Sequence, residues 1–92
     1  MHANPGRLLL CDLDAGQPAT IDGVDSTDDA AGVANRLREL GFVPGVRCEI
    51  VARMWLSGDP LAVRVGGATF ALRRREAARV NVVRGTQRAP VQ

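Results

Sequence analysis

From Val46 to Val83 apolar and polar residues alternate with a period close to two, interrupted by glycine and proline pairs, which predicts a run of short strands. The alternation puts Val46, Cys48, Ile50, Ala52, Met54 and Leu56 on one face. Arg47, Glu49, Val51, Arg53 and Trp55 fall on the other. The first face is expected to point into a core. Gly66-Gly67 is a two-residue hairpin signal, and such a loop sets Val65 opposite Ala68, Val63 opposite Phe70 and Leu61 opposite Leu72. These pairs are apolar, while the other face pairs Arg64 with Thr69 and Ala62 with Ala71, so turn chemistry and hydrophobic pattern select one register. Arg73 to Ala78 reads as about one helical turn, and Arg79 to Val83 as a last strand with Val80 and Val82 inward.

Upstream the period changes. Leu8 to Leu13 is an apolar segment expected to pack and then turn at Asp14-Ala15-Gly16, and Ala19 to Val24 alternates as a first strand. Asp25-Ser26-Thr27-Asp28-Asp29 reads as a helix start, with Ser26 or Thr27 as the cap and two aspartates favoured by the helix dipole. Ala30, Val33, Ala34, Leu37 and Leu40 follow at helical spacing, and Gly41 is placed to end the helix in a left-handed conformation. Gly32 falls inside this predicted helix, where it costs about 1 kcal/mol relative to alanine. Pro44-Gly45 predicts a turn into the next strand. Leu37, Leu40, Gly41, Pro44, Gly45, Gly66 and Gly67 are accordingly read as structural.

The predicted order is strand, helix, then four strands with a short helical turn before the last. Short, strongly bent strands in a chain of this size predict a mainly β fold. The expected architecture is a small SH3-like barrel of about five strands with one inserted amphipathic helix. Residues 1–7 and 85–92 lack periodicity and are expected to be loose tails around one domain, 8–84.

Composition narrows the chemistry. All twelve basic residues are arginine; residues 1–30 carry six acids against Arg7, and residues 31–92 carry eleven arginines against four acids. The halves are therefore −5 and +7, summing to the net +2. A basic C-terminal part suits phosphate, an acidic protein face or an anionic bilayer surface, and an all-arginine set equally reflects codon usage. Without lysine there is neither a Walker A loop nor a Schiff base, and the single histidine, His2, lies in a predicted tail with no nucleophile to serve. The aspartates read as turn and cap residues. An enzyme is not expected. Cys11 and Cys48 are far apart and form no CxxC, so neither a disulfide framework nor a metal cage is predicted, and no cofactor is implied. The N-terminus shows no signal-peptide pattern, and a cytoplasmic protein is expected.

The ordered set Leu37-Arg38-Glu39-Leu40-Gly41-Phe42-Val43-Pro44-Gly45, Gly58-Asp59-Pro60-Leu61, Val63-Arg64-Val65 and Phe70-Ala71-Leu72-Arg73-Arg74-Arg75-Glu76-Ala77 closely resembles the FeoA family over roughly Leu8 to Val83. The resemblance implies a small cytosolic SH3-like protein of the bacterial ferrous-iron uptake system. Its implied partner is the cytoplasmic GTP-binding domain of the large, FeoB-like membrane permease. Membrane association would then be indirect, by recruitment to the inner face of the cell membrane, and homo-oligomers are allowed. The same fold occurs at the C-terminus of iron-type metal-dependent repressors, but no helix-turn-helix precedes it here, which argues against a stand-alone repressor. A nucleic-acid-binding module of SH3-like fold is the rival class. It is disfavoured because no strand interleaves exposed aromatics with its arginines.

Two segments are candidate partner-binding surfaces. Arg53, Met54, Trp55 and Leu56 lead into the Ser57-Gly58-Asp59-Pro60 turn, where an aromatic beside arginine is a common interface anchor. The alternative is that Trp55 folds back and closes one barrel end. Arg73, Arg74 and Arg75 offer a basic edge to an acidic partner or to nucleotide phosphates, or form a solvated turn in which one arginine pairs with Glu76. Replacing Trp55 by alanine is expected to leave the melting temperature nearly unchanged while weakening partner binding. A loss of several kcal/mol in stability with binding intact would instead mark Trp55 as core.

Overall fold

The computed structural model describes residues 7–29, 31–54 and 59–85. Six strands make a single antiparallel sheet: β1 (Arg7–Leu9), β2 (Ala19–Val24), β3 (Arg47–Arg53), β4 (Leu61–Val65), β5 (Ala68–Leu72) and β6 (Val80–Arg84). Helix α1 (Val33–Leu40) lies between β2 and β3, and the one-turn α2 (Arg74–Ala77) between β5 and β6. The spatial order is β1-β6-β2-β3-β4-β5, so the last strand sits between the first two. This is the expected small mainly β, SH3-like architecture, with one more strand than anticipated. The extra strand is β1, which pairs Leu8 with Val82 and then enters a 3-10 turn at Leu10–Asp12. Three residues carry no legible alternation; only the partner strand makes them a strand.

The sheet curls around Leu10, Leu13, Ile21, Leu37, Phe42, Ile50, Leu61, Val63, Leu72, Val80 and Val82, each at most 1% exposed. Phe42, from the loop after α1, is the largest fully buried side chain among the described residues and meets the Phe70 ring at a centroid distance of 6.3 Å. The Gly66-Gly67 hairpin has the predicted register throughout, Leu61 opposite Leu72 to Val65 opposite Ala68. Gly66 takes φ = 58°, which a side chain would resist. Leu37 is buried, Leu40 half-buried, and Gly41 ends α1 at φ = 116° with its N–H on the Leu37 and Arg38 carbonyls. The Val43-Pro44-Gly45-Val46 turn is closed by the Val46 N–H on the Val43 carbonyl at 3.2 Å, with Gly45 at φ = 92°.

The helix start differs from the expected one. Arg79 reaches across to the carbonyls of Asp25 and Thr27, both at 3.0 Å, and of Asp28 at 3.4 Å, holding this acidic stretch as a loop. Thr27 donates its N–H to the Asp25 carboxylate rather than capping a helix. The chain reverses at Asp28 (φ = 53°) and Gly32 (φ = 72°), and the Asp29 carboxylate accepts the Ala34 N–H at 3.1 Å. Gly32 therefore precedes the first helical turn and carries no helix-interior penalty, because α1 begins at Val33. Ala30 lies outside the described residues.

A second difference lies in β3. Cys48 and Ile50 are buried as expected, but the pairing slips between Ile50 and Ala52, so that Ala52 faces Ala62 and Arg53 faces Leu61. This bulge inverts the alternation. Ala52 and Met54, expected inside, are exposed, and Arg53 turns toward the barrel end.

Burial pushes the Cys48 thiol from its ordinary 9.0 up to about 11, with Glu49 adding to the shift. Between these values the folded chain holds a proton that the unfolded chain has released, so stability falls as pH rises through the window. In thermal or denaturant unfolding, the wild type is expected to lose roughly 2–3 kcal/mol between pH 8.5 and 11 that Cys48→Ala does not lose. Parallel pH profiles for the two proteins would disprove this.

Candidate partner-binding surface

The bulged end of β3, the start of β4 and the β5–α2 junction meet at one end of the barrel. Arg73 closes β5 and precedes α2; its backbone N–H donates to the Glu76 carboxylate at 2.8 Å. Glu76 also pairs with Arg36 of α1, so this carboxylate joins the two helices instead of serving a neighbouring arginine of the triplet. The Asp59 carboxylate accepts the Arg74 N–H at 2.8 Å and holds the turn before β4 against the start of α2. The Asp59–Pro60 peptide is cis.

These anchors leave the arginine side chains outside. Arg73, Arg74 and Arg75 are exposed and have no carboxylate partner among the described residues. With Asp59, Ala78 and Cys11 they line a groove of about 540 Å³. Cys11 is only 7% exposed, and burial raises its thiol pKa, with Asp12 adding to the rise and Arg74 and Arg53 opposing it. A protonated thiol supplies an apolar floor rather than a nucleophile.

A second groove, about 190 Å³ and largely apolar, is lined by Ala52, Arg53, Met54, Pro60, Leu61, Ala62 and Ala71. Met54 stands at its rim, 52% exposed. The adjacent residues Asp59 and Pro60 each line one of the two grooves. Trp55 and Leu56 lie outside the described residues. Arg53 has a different position from its candidate neighbours. It is half-buried, and its guanidinium donates to the Cys11 carbonyl at 3.1 Å and to the Leu13 carbonyl. The bulge aims it inward, where it ties β3 to the segment after β1. The sequence offered no sign of this bond, nor of Asp59 and Cys11 in the arginine groove, because each depends on segments distant in the chain.

Among the described residues no three His, Cys, Asp or Glu side chains gather where they could hold a metal ion, and no helix is long and apolar enough to cross a membrane.

A match to the FeoA domain spans residues 8–84. The chain belongs to the FeoA family. The FeoA of Stenotrophomonas maltophilia, solved in complex with zinc, is 41% identical over 82% of this chain and 88% of that one, with a TM-score of 0.74. That protein is described as an unusual prokaryotic SH3 domain protein and put forward as a ferrous iron transport activating factor. FeoA from Chlorobium tepidum is 30% identical over 84% of this chain and 70% of that one, TM-score 0.71. Iron(II) transport protein A from Clostridium thermocellum is 32% identical over 84% of this chain but 45% of its own, TM-score 0.71. A manganese-dependent transcriptional repressor shares the fold at 20% identity, covering 89% of this chain and 44% of that one, with a TM-score of 0.74. No curated protein matches the chain. Membership associates it with ferrous iron transport, in a family known as an accessory of transport.

Replacing Arg53 by methionine keeps the apolar stem but strips the donors from the Cys11 and Leu13 carbonyls. Denaturant unfolding is expected to show a loss of about 1.5–3 kcal/mol. An unchanged midpoint would show these carbonyls to be satisfied by water.

Proposed function

We propose that the protein is a non-catalytic accessory factor of ferrous iron transport that binds the cytoplasmic GTP-binding domain of the membrane permease. Family membership supports the transport role. The surface is carried by one observation: exposed Met54 lines one groove with Pro60, and Arg73–Arg75, without a carboxylate partner among the described residues, line the other with Asp59. An apolar anchor beside desolvatable guanidinium groups suits an acidic protein face with a hydrophobic centre. Met54, Trp55 and Leu56 supply the apolar part, and Arg73, Arg74 and Arg75 the charged rim. Arg53 acts from behind, holding the end of β3 from which Met54 projects. The inventory of side chains leaves GTP hydrolysis to the partner.

The test is binding of the permease's GTP-binding domain, with and without nucleotide, by wild type and by Arg73→Ala/Arg74→Ala/Arg75→Ala. The triple variant is expected to melt like wild type and to bind at least about 10-fold more weakly, mainly through slower association at low salt. No binding by the wild type and no effect on GTP turnover would overturn the proposal.

A further inference from the structure

Strand β5 is an open edge of the sheet: among the described residues it pairs with β4 and with no other strand. The opposite edge, β1, is three residues long and runs at once into a 3-10 turn, a common way of blunting an edge. β5 has no such protection. Its five residues, Ala68-Thr69-Phe70-Ala71-Leu72, contain no charge and no proline, and its pairing with β4 has no bulge.

Hydrogen-bond parity decides which groups face outward. The Gly66 N–H goes to the Arg47 carbonyl of β3, so Val65 and, two by two, Val63 and Leu61 turn their peptide groups to β5. Their partners Ala68, Phe70 and Leu72 are thereby satisfied. Thr69 and Ala71 point their N–H and C=O groups away from β4, both residues are exposed, and neither has a backbone partner among the described residues.

We propose that β5 pairs antiparallel with β5 of a second copy of this chain about a twofold axis at Phe70, joining two six-stranded sheets edge to edge. The axis makes Thr69 face Ala71 of the partner copy and Ala71 face Thr69. The outward N–H and C=O groups of both residues then find each other with nothing left over. Two-fold pairing is also the arrangement that the charges accept. Arg73 falls opposite Gly67, and the two arginine triplets stand at opposite ends of the joined strand, about 20 Å apart for six residues of extended chain. On the outer face Ala71 continues into the small residues Ala62 and Ala52, and Arg64, opposite Thr69, belongs to β4 on the side away from an approaching strand. On the inner face each Phe70, already resting on Phe42, meets its symmetry mate at the non-hydrogen-bonded position, where cross-strand aromatic pairs are closest. Pairing of so few residues buries far less than a permanent dimer, so the association is weak and concentration-dependent. It goes beyond the proposed partner surface and leaves Met54 and the arginines free on both copies.

Sedimentation of the full chain in a concentration series up to about 1 mM is expected to show a monomer–dimer equilibrium. Amide exchange is expected to slow at least about 10-fold at Thr69 and Ala71 between the dilute and concentrated ends, while Phe70, bonded to β4, changes little. Ala71→Pro removes an outward N–H at an edge position that tolerates proline, and should stay monomeric with an intact fold. Thr69→Lys, a charge on the edge, should do the same should the proline variant fail to fold. A monomer throughout with fast exchange at Thr69 and Ala71 overturns the proposal. So does a dimer that survives the folded variant or protects other amides instead.

Discussion

A single sheet of short strands has to enclose its own core, and nearly every irregularity of this chain serves that closure. With two phenylalanines and one tryptophan in the sequence, the interior is built from leucine, valine, isoleucine and alanine. Such side chains fill a narrow space only if the sheet bends sharply around them. The bends come from register slips in β2 and β3, and from the Gly66 turn. The α2 crossover carries the chain past the hairpin so that β6 lies between β1 and β2. Helix α1 and Phe42 close the remaining side.

Closure also explains how the arginines divide. A strongly bent chain leaves loop carbonyls that no ladder can satisfy, and the planar guanidinium, with its several donors, gathers them. Arg79 holds the Asp25–Asp28 loop, Arg53 the Cys11–Leu13 segment, and Arg38 the Val24 carbonyl. Arg36 and Arg64 face carboxylates. Among the described residues the Arg73–Arg75 triplet is spent on neither task, although Glu76 and Asp59 hold the backbone N–H groups of Arg73 and Arg74. The turn thus presents three exposed cations with no carboxylate partner among the described residues, beside an apolar groove.

What was legible follows from the range of the forces involved. The Gly66-Gly67 register could be read residue by residue, because turn geometry and two-residue alternation are local and agree. Gly41 and Pro44-Gly45 were legible for the same reason. The helix start was not: Ser26 and Thr27 are good capping residues, but the long-range bonds of Arg79 hold them in a loop, and it is Asp29 that meets the first turn of α1. Nor was the β3 bulge, which appears only when β3 is laid against β4.

The sequence by itself determined the class of fold, the hairpin, the helix and its end, and an all-arginine set of basic residues without lysine, since composition and short-range periodicity suffice for these. Tertiary structure decided the sixth strand, the inward turn of Arg53 and outward turn of Met54, and the pairing of Glu76 with Arg36. It also gathered Asp59 and Cys11 around the arginine triplet. Each of these depends on contacts between residues far apart in the chain, and a local pattern carries no record of which distant group will satisfy a carbonyl, a cation or an open strand edge.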